Sequence, residues 1–319
     1  MVKVGILGTG FGKVHADIYK KLDGVEIAGV FDRTSEKLDK IKKELKVRVT
    51  NNIDELITDP SIDLIDVCLP TSMHKKYVIK SLKNNKNVLC ETPICYTLEE
   101  AEEMKRCAKK YNKKLFVDLF FKFSDPHRIA TEKIKSNALG KPLVIKVYQK
   151  TPPHWGDMDL DRIIHNFMLH NFDFLTDLIG LPTEVMANGF QENNSYVFST
   201  LKYKNGIASV ESSTMFPGKF PFNIGFDIIC EFGTITFDGK YGQDIEQKFV
   251  IYKDDEKEEI DLPSNNDHEE VIKYVINNIN NNKSSSIISI DEAIKSLKIV
   301  LAIKQSFKNN RSVNIIDKN

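Results

Sequence analysis

Residues 2–15 read VKVGILGTGFGKVH. The first six form a short apolar run of strand character, the next five are Gly-Thr-Gly-Phe-Gly, and a helical stretch opens at Lys13. A strand that passes through glycines into a helix is the context in which a glycine pattern becomes a candidate anion site. Gly8 permits the tight turn and Gly10 lets a phosphate approach the backbone. The helix start contributes free N–H groups and the positive end of its dipole. Strict GxGxxG spacing would place the third glycine at 13, but this chain has Lys13 there and Gly12 one residue earlier.

Outward from this turn, short β-branched runs alternate with helical stretches as far as residue 121. The spacing predicts strands at Val2–Leu7, Val25–Phe31, Val47–Thr50, Leu64–Leu69, Asn87–Cys90 and Leu115–Phe121. Helices are expected between them at Lys13–Leu22, Ser35–Leu45, Ile53–Ile57, Ser72–Asn84 and Leu98–Tyr111. This rhythm specifies an α/β domain, a doubly wound parallel sheet of the Rossmann kind, over residues 1–121. Asp32 ends the second strand, close to where such sheets place the carboxylate that accepts hydrogen bonds from an adenosine ribose. It argues for NAD over NADP, and Arg33 beside it is the residue able to meet a 2′-phosphate.

Beyond residue 121 the rhythm changes to a helix at Pro126–Asn137, a strand at Leu143–Lys150 and a long apolar helix from Arg162 to Ile179. Strands then follow at Glu184–Phe190, Tyr196–Tyr203, Ile207–Phe216, Asn223–Phe232, Thr234–Phe237 and Lys248–Tyr252. Two helices, Asp267–Asn281 and Asp291–Lys308, close the chain. Residues 122–319 therefore read as an α+β domain on a largely antiparallel open sheet, to which the family resemblance described below assigns substrate binding and oligomerisation.

Composition narrows the class. The 319 residues carry 45 Lys+Arg and 45 Asp+Glu, which leaves no positive field to recruit nucleic acid or anionic lipid. No leader pattern opens the sequence, and no apolar stretch reaches the roughly 18 residues of a membrane span, so a cytoplasmic protein with no membrane partner is expected. Five cysteines, at 68, 90, 95, 107 and 230, show no CxxC spacing, from which reduced thiols and no metal site are expected.

The long apolar helix has one polar stripe. At about 100° per residue, Arg162, Asn166, His170, Asp173 and Asp177 fall within roughly 80° of arc. A helix apolar on every other side is buried, so the stripe faces water or a cavity, and His with Asp suits a cavity better than the Lys and Glu of a wet face. His165 lies off the stripe and is given a structural role.

Several segments, in order along nearly the whole chain, resemble the glucose-fructose oxidoreductase, inositol dehydrogenase and MocA-like (Gfo/Idh/MocA) family. They are GTGFGKVHA at 8–16, DVCLPTSMH at 66–74, CETPICYTLEEAEEM at 90–104, ALGKPLVIKV at 138–147, HNFDFLTDLIG at 170–180, GIASVESS at 206–213, GTITFD at 233–238 and the C-terminal run from Asp291. The resemblance implies hydride transfer between NAD(P) and a hydroxyl-bearing carbon of a small-molecule sugar, polyol or derivative. It also implies a homo-oligomer, dimer or tetramer, built through the C-terminal sheet, whose strands here carry more apolar positions than one buried face requires. The cofactor contacts it implies are Gly8, Gly10, Phe11, Gly12, Asp32, Arg33, Pro70, Thr71, His74 and Glu91.

Two positions depart from the family pattern. Where relatives carry the Lys of Glu-Lys-Pro and an Asp four residues before the helix His, this chain has Thr92 and Asn166, and only His170 remains. Thr92 and Asn166 can orient a substrate but cannot titrate. Lys122, on the outgoing strand, is the candidate cation. The loop Thr151–Asp159 with Trp155, and Asp173 one turn along the stripe, are the candidate substrate pocket. The departures leave two other classes open: a nucleotide-binding sensor or partner subunit without dehydrogenase activity, and a lyase or glycosidase that retains NAD with no net redox change.

Overall fold

The computed structural model describes residues 1–154, 156, 158–263 and 266–315. They divide into two compact units, Met1–Phe123 with Asn266–Ile294, and Ser124–Asn265 with Lys295–Asn319. The division expected after residue 121 lies beside the first crossing but omits the return of 266–294 to the N-terminal unit.

The first unit is built on a six-stranded parallel sheet of order β3-β2-β1-β4-β5-β6. Its strands are β1 (Val2–Leu7), β2 (Val25–Phe31), β3 (Val49–Thr50), β4 (Leu64–Val67), β5 (Asn87–Cys90) and β6 (Leu115–Val117). β4 is buried along its whole length and β5 along all but its first residue, because helices cover both faces. The crossovers carry α1 (Phe11–Tyr19), α2 (Ser35–Leu45), α3 (Asp54–Ile57), α4 (Thr71–Lys83) and α5 (Leu98–Lys110). The strand order reverses between β1 and β4, which opens a crevice at their carboxyl ends.

β6 stops at Val117, and Phe120–Lys122 turn as a 3₁₀ helix, so Lys122 is not on a strand. The backbone N–H of Val117 donates instead to the Ile288 carbonyl at 3.0 Å, in a segment of the returning stretch.

In the second unit, α6 (Asp125–Lys135) and a continuous helical run from 160 to 179 accompany a nine-stranded sheet. The run comprises α7 (Leu160–Arg162), a π-helical turn (Ile163–Phe167) and α8 (Met168–Ile179). The strands are β7 (Pro142–Lys150), β8 (Glu184–Gln191), β9 (Ser195–Tyr203), β10 (Gly206–Ser213), β11 (Phe222–Cys230), β12 (Gly233–Tyr241), β13 (Ile245–Tyr252), β14 (Lys257–Ile260) and β15 (Val313–Asn314). β7 and β10 run parallel, and every other pairing is antiparallel. α9 (Asp267–Asn280) lies in the first unit, and α10 (Ile290–Asn309) begins in the first and continues in the second.

The outer face of this sheet is less apolar than its sequence suggests. Ile207, Val144 and Ile229 stand in one row across β10, β7 and β11 and are each more than two-fifths exposed. Two residues along, the row is Ser209, Lys146 and Asp227, and beyond it Tyr148 donates to Asp238 while Lys150 pairs with Glu211. Among the described residues no helix is long and apolar enough to cross a membrane.

Candidate active site

The crevice of the first unit is lined by Gly8, Thr9, Gly10, Phe11, Asp32, Arg33, Lys37, Leu69, Pro70, Met73, Glu91 and Thr92, among others. Gly8 has φ +103°, and a Cβ there would sit 2.5 Å from the Cys68 carbonyl oxygen, so only glycine makes this turn without strain. Gly12 does the packing work of the displaced third glycine. A Cβ on it would meet Ile6 at 3.0 Å and Cys68 at 3.3 Å, so its absence lets α1 lie against the sheet. Nothing stands within 4 Å of where a Gly10 Cβ would be, and no side chain caps α1 at that residue. The helix start is thus open to an anion from the crevice.

Asp32 is fixed at the end of β2. One carboxylate oxygen accepts from the Thr9 hydroxyl at 2.5 Å and the Thr9 amide at 3.2 Å, and the other accepts from the Thr34 amide at 3.0 Å. Burial pushes this carboxyl upward, but the Thr9 and Thr34 bonds outweigh it and hold it below the usual range, so it is an oriented anion at neutral pH. Arg33 and Lys37 reach the same crevice from its exposed rim; Lys37 carries no motif that would single it out.

Two residues expected at the cofactor do not line the crevice. Thr71 begins α4 outside the lining. His74 is buried, with Nδ1 2.9 Å from the Pro93 carbonyl and Nε2 2.6 Å from the Leu69 carbonyl, so it ties the loop after β5 to the loop after β4. Burial holds its pKa below the ordinary value, opposed by those carbonyls.

Behind the crevice lies a buried cluster that the sequence does not announce. His15 Nδ1 stands 2.9 Å from Asp66, while Nε2 is 3.2 Å from Glu91 and 3.4 Å from Asp118; His268 Nδ1 is 3.1 Å from Asp118. Burial opposes charge on His15, but Asp66, Cys68 and Asp118 outweigh it and push its pKa well above the ordinary histidine value. Burial likewise works against the Asp118 anion, yet the two imidazoles hold that carboxyl far down. Glu91 is pushed up by burial and by Asp118.

The proposed catalytic side chains are divided between the units. In the first, Thr92 lines the crevice, and Lys122 is 4% exposed with Nζ 3.6 Å from Glu292. Lys122 is therefore a buried, ion-paired cation and not an open one. In the second unit, His170 and Asp173 are buried on α8 and Asn166 is half-buried on the π turn. The stripe is not uniform, because the π turn breaks the 100° register, Arg162 is exposed, and Asp177 pairs with Lys135 at 2.7 Å. His165 is buried. His127, which sequence reasoning passed over, packs its ring 4.7 Å from Phe174 and 5.5 Å from Phe226. Burial, aided by His170, lowers its pKa to about 3. Trp155 lies outside the described residues.

An open glycine turn at the switch point, with an oriented carboxylate at the end of the second strand, defines a dinucleotide-binding domain. Residues 2–119 match the family profile described as "Oxidoreductase family, NAD-binding Rossmann fold", so this domain is similar to that of the Gfo/Idh/MocA oxidoreductases. The chain is 28% identical over 195 residues to myo-inositol 2-dehydrogenase of Thermotoga maritima, covering 59% of this chain and 58% of that one. It is 33% identical over 225 residues to an uncharacterized oxidoreductase of Streptococcus pneumoniae, covering 64% and 60%. The matched region thus spans less than two thirds of either relative. The fold follows the crystal structure of a probable dehydrogenase from Thermotoga maritima with a TM-score of 0.83 at 22% identity, over 98% of this chain and 99% of that one.

Proposed function

We propose that the protein is an NAD-dependent dehydrogenase that oxidises a hydroxyl-bearing carbon of a sugar, polyol or close derivative. The observation that carries this reading is Asp32, anionic, oriented by Thr9 and Thr34, and set in the crevice with the open start of α1. The residues fit a dinucleotide: the Gly8–Gly10 turn and α1 for the pyrophosphate, and Asp32 for ribose hydroxyls. When bound, nicotinamide supplies the hydride acceptor. NADP is the alternative for which Arg33, joined by Lys37, speaks; the Asp32 charge speaks against it.

The reaction needs a group to take the hydroxyl proton. We assign it to His170, the one titratable residue left of the family's usual set, with Asn166 and Thr92 as orienting groups. Lys122, the candidate cation for a developing alkoxide, is buried with Glu292 3.6 Å from its Nζ, which offsets part of its charge. This favours, as second reading, a nucleotide-binding relative without dehydrogenase activity.

The test is absorbance at 340 nm with NAD⁺ and a panel of inositols, sugars and amino-sugar derivatives. Turnover that His170→Ala lowers by about 10²-fold or more, with NADH affinity retained, supports the assignment. Turnover untouched by His170→Ala refutes the proton route. NADH binding with no oxidation of any panel member favours the second reading. Turnover of a substrate without net absorbance change favours a lyase or glycosidase that retains NAD.

A further inference from the structure

We propose that His15, Asp118 and His268 form a binding site for one divalent transition-metal ion of the zinc class in the N-terminal unit. The argument starts from donor spacing. Four ligands at about 2.0–2.2 Å around a tetrahedral zinc stand roughly 3.3–3.6 Å from one another. Here His15 Nε2 is 3.4 Å from Asp118 Oδ2, and Asp118 Oδ2 is 3.1 Å from His268 Nδ1. Donor atoms of His15, Asp118 and His268 all lie within 4.8 Å of one another.

Donor satisfaction is an independent observation. The His15 side chain is fully buried, yet its Nε2 makes no hydrogen bond of good geometry and meets only the Glu91 and Asp118 carboxylates, at 3.2 and 3.4 Å. An ion held by the three donors would engage this Nε2 directly.

The surroundings fit the same ion. Asp66 Oδ2 lies 2.9 Å from His15 Nδ1, the carboxylate–histidine arrangement that fixes a ligating ring and presents Nε2 as the lone pair. Asp118 is the anionic ligand, and the Asp66 and Glu91 carboxylates that face His15 lie close by. Nitrogen with carboxylate oxygen suits zinc, iron, cobalt or manganese better than calcium, which takes oxygen ligands only. The donors come from α1, the segment after β6 and α9, so the ion would clamp three segments of one domain. Glu91 also lines the dinucleotide crevice, which places the site against its inner wall.

The test uses the full chain, purified without chelator or added metal and analysed by plasma mass spectrometry, with about one equivalent of zinc, iron, cobalt or manganese expected. Chelator-stripped protein is then titrated with Co²⁺ alone, and visible d–d absorption that saturates near one equivalent is expected. Asp66→Asn, which alters the carboxylate behind the His15 ring and keeps a hydrogen-bonding side chain toward Cys68, should weaken Co²⁺ binding by about 10–100-fold. Asp118→Asn should weaken it further. His268→Gln serves as the partly exposed variant least exposed to folding losses, with its melting curve recorded beside that of the stripped wild type. Absence of metal from the purified chain together with no Co²⁺ band overturns the proposal. Equal Co²⁺ affinity of wild type and a folded His268→Gln or Asp118→Asn also overturns it. Because the readouts are metal content and absorption, failure of the dehydrogenase reading leaves this test intact.

Discussion

Replacing Asp32 by alanine isolates the group on which cofactor choice rests. A carboxylate offers about four acceptor sites. Three are taken within the protein: the hydroxyl and amide of Thr9 share one oxygen, and the Thr34 amide uses the other. One site remains on the oxygen bonded to Thr34, enough for a single ribose hydroxyl without rearrangement. A hydrogen bond to a charged group contributes about 1.5–3 kcal/mol, which is roughly 10–150-fold in affinity. Asp32→Ala should therefore raise the Kd for NADH by that factor, measured by isothermal titration calorimetry. The same change removes the negative charge facing a 2′-phosphate and leaves Arg33 and Lys37 unopposed, so NADPH affinity should rise and the preference narrow or invert. The low pKa of Asp32 adds a control: the anion persists at every pH above the ordinary carboxylate range, so NADH affinity should stay flat from neutrality down to about pH 5. NADH binding by Asp32→Ala within twofold of the wild type would refute the ribose assignment and with it the argument for NAD.

Three further outcomes are expected. Gly8→Ala forces a side chain against the Cys68 carbonyl at positive φ, which should cost at least about 1–2 kcal/mol and lower the thermal midpoint; an unchanged melting curve would contradict the turn geometry. His127, with a folded pKa of about 3 against an ordinary value near 6.5, stays neutral in the native state while the unfolded chain takes up its proton. Stability should therefore fall between about pH 6.5 and 3 by up to about 1.4 kcal/mol per pH unit from this residue. Denaturant titrations at pH 6 and 4 should show His127→Phe losing less stability than the wild type, and equal losses would argue against a neutral buried ring. We also propose that the chain forms a homo-oligomer through the outer face of the nine-stranded sheet, burying the row Ile207, Val144 and Ile229; light scattering at the mass of a single chain at micromolar concentration would refute it.

Much of this architecture is legible in sequence because it is local. β1, β2 and β5 begin and end where their β-branched runs do, since flanking glycines and polar residues terminate them. β14 (Lys257–Ile260) escapes notice because three of its four residues are charged, as befits a protected sheet edge. The π turn at Ile163–Phe167 escapes because a 100° wheel assumes uniform winding, so the helix stripe looks more continuous than it is. The glycine turn and Asp32 are readable from fixed spacings along one strand-turn-helix unit. The tie of the His74 ring to the Leu69 and Pro93 carbonyls is not legible, because position in a motif does not show which way a ring turns, and the pairing of Lys122 is not, because Glu292 is remote in sequence. The cluster around His15 has no spacing signature at all: its members come from positions 15, 66, 91, 118 and 268, and the cysteine pattern on which no metal was expected says nothing of them.

The interleaved layout of the N-terminal unit sets the order in which this chain can be completed at the ribosome. Residues 124–265 emerge before the segment that supplies Ile288 to the edge of β6 and His268 to Asp118, a partner 150 residues away. Until that segment is synthesised, the last strand of the parallel sheet has one unpaired side and the buried Asp118 carboxylate lacks one of its two imidazoles. A protein cut after Phe123 would stay permanently in that incomplete condition, so the dinucleotide domain is not a detachable module even though its family motifs all lie before residue 120.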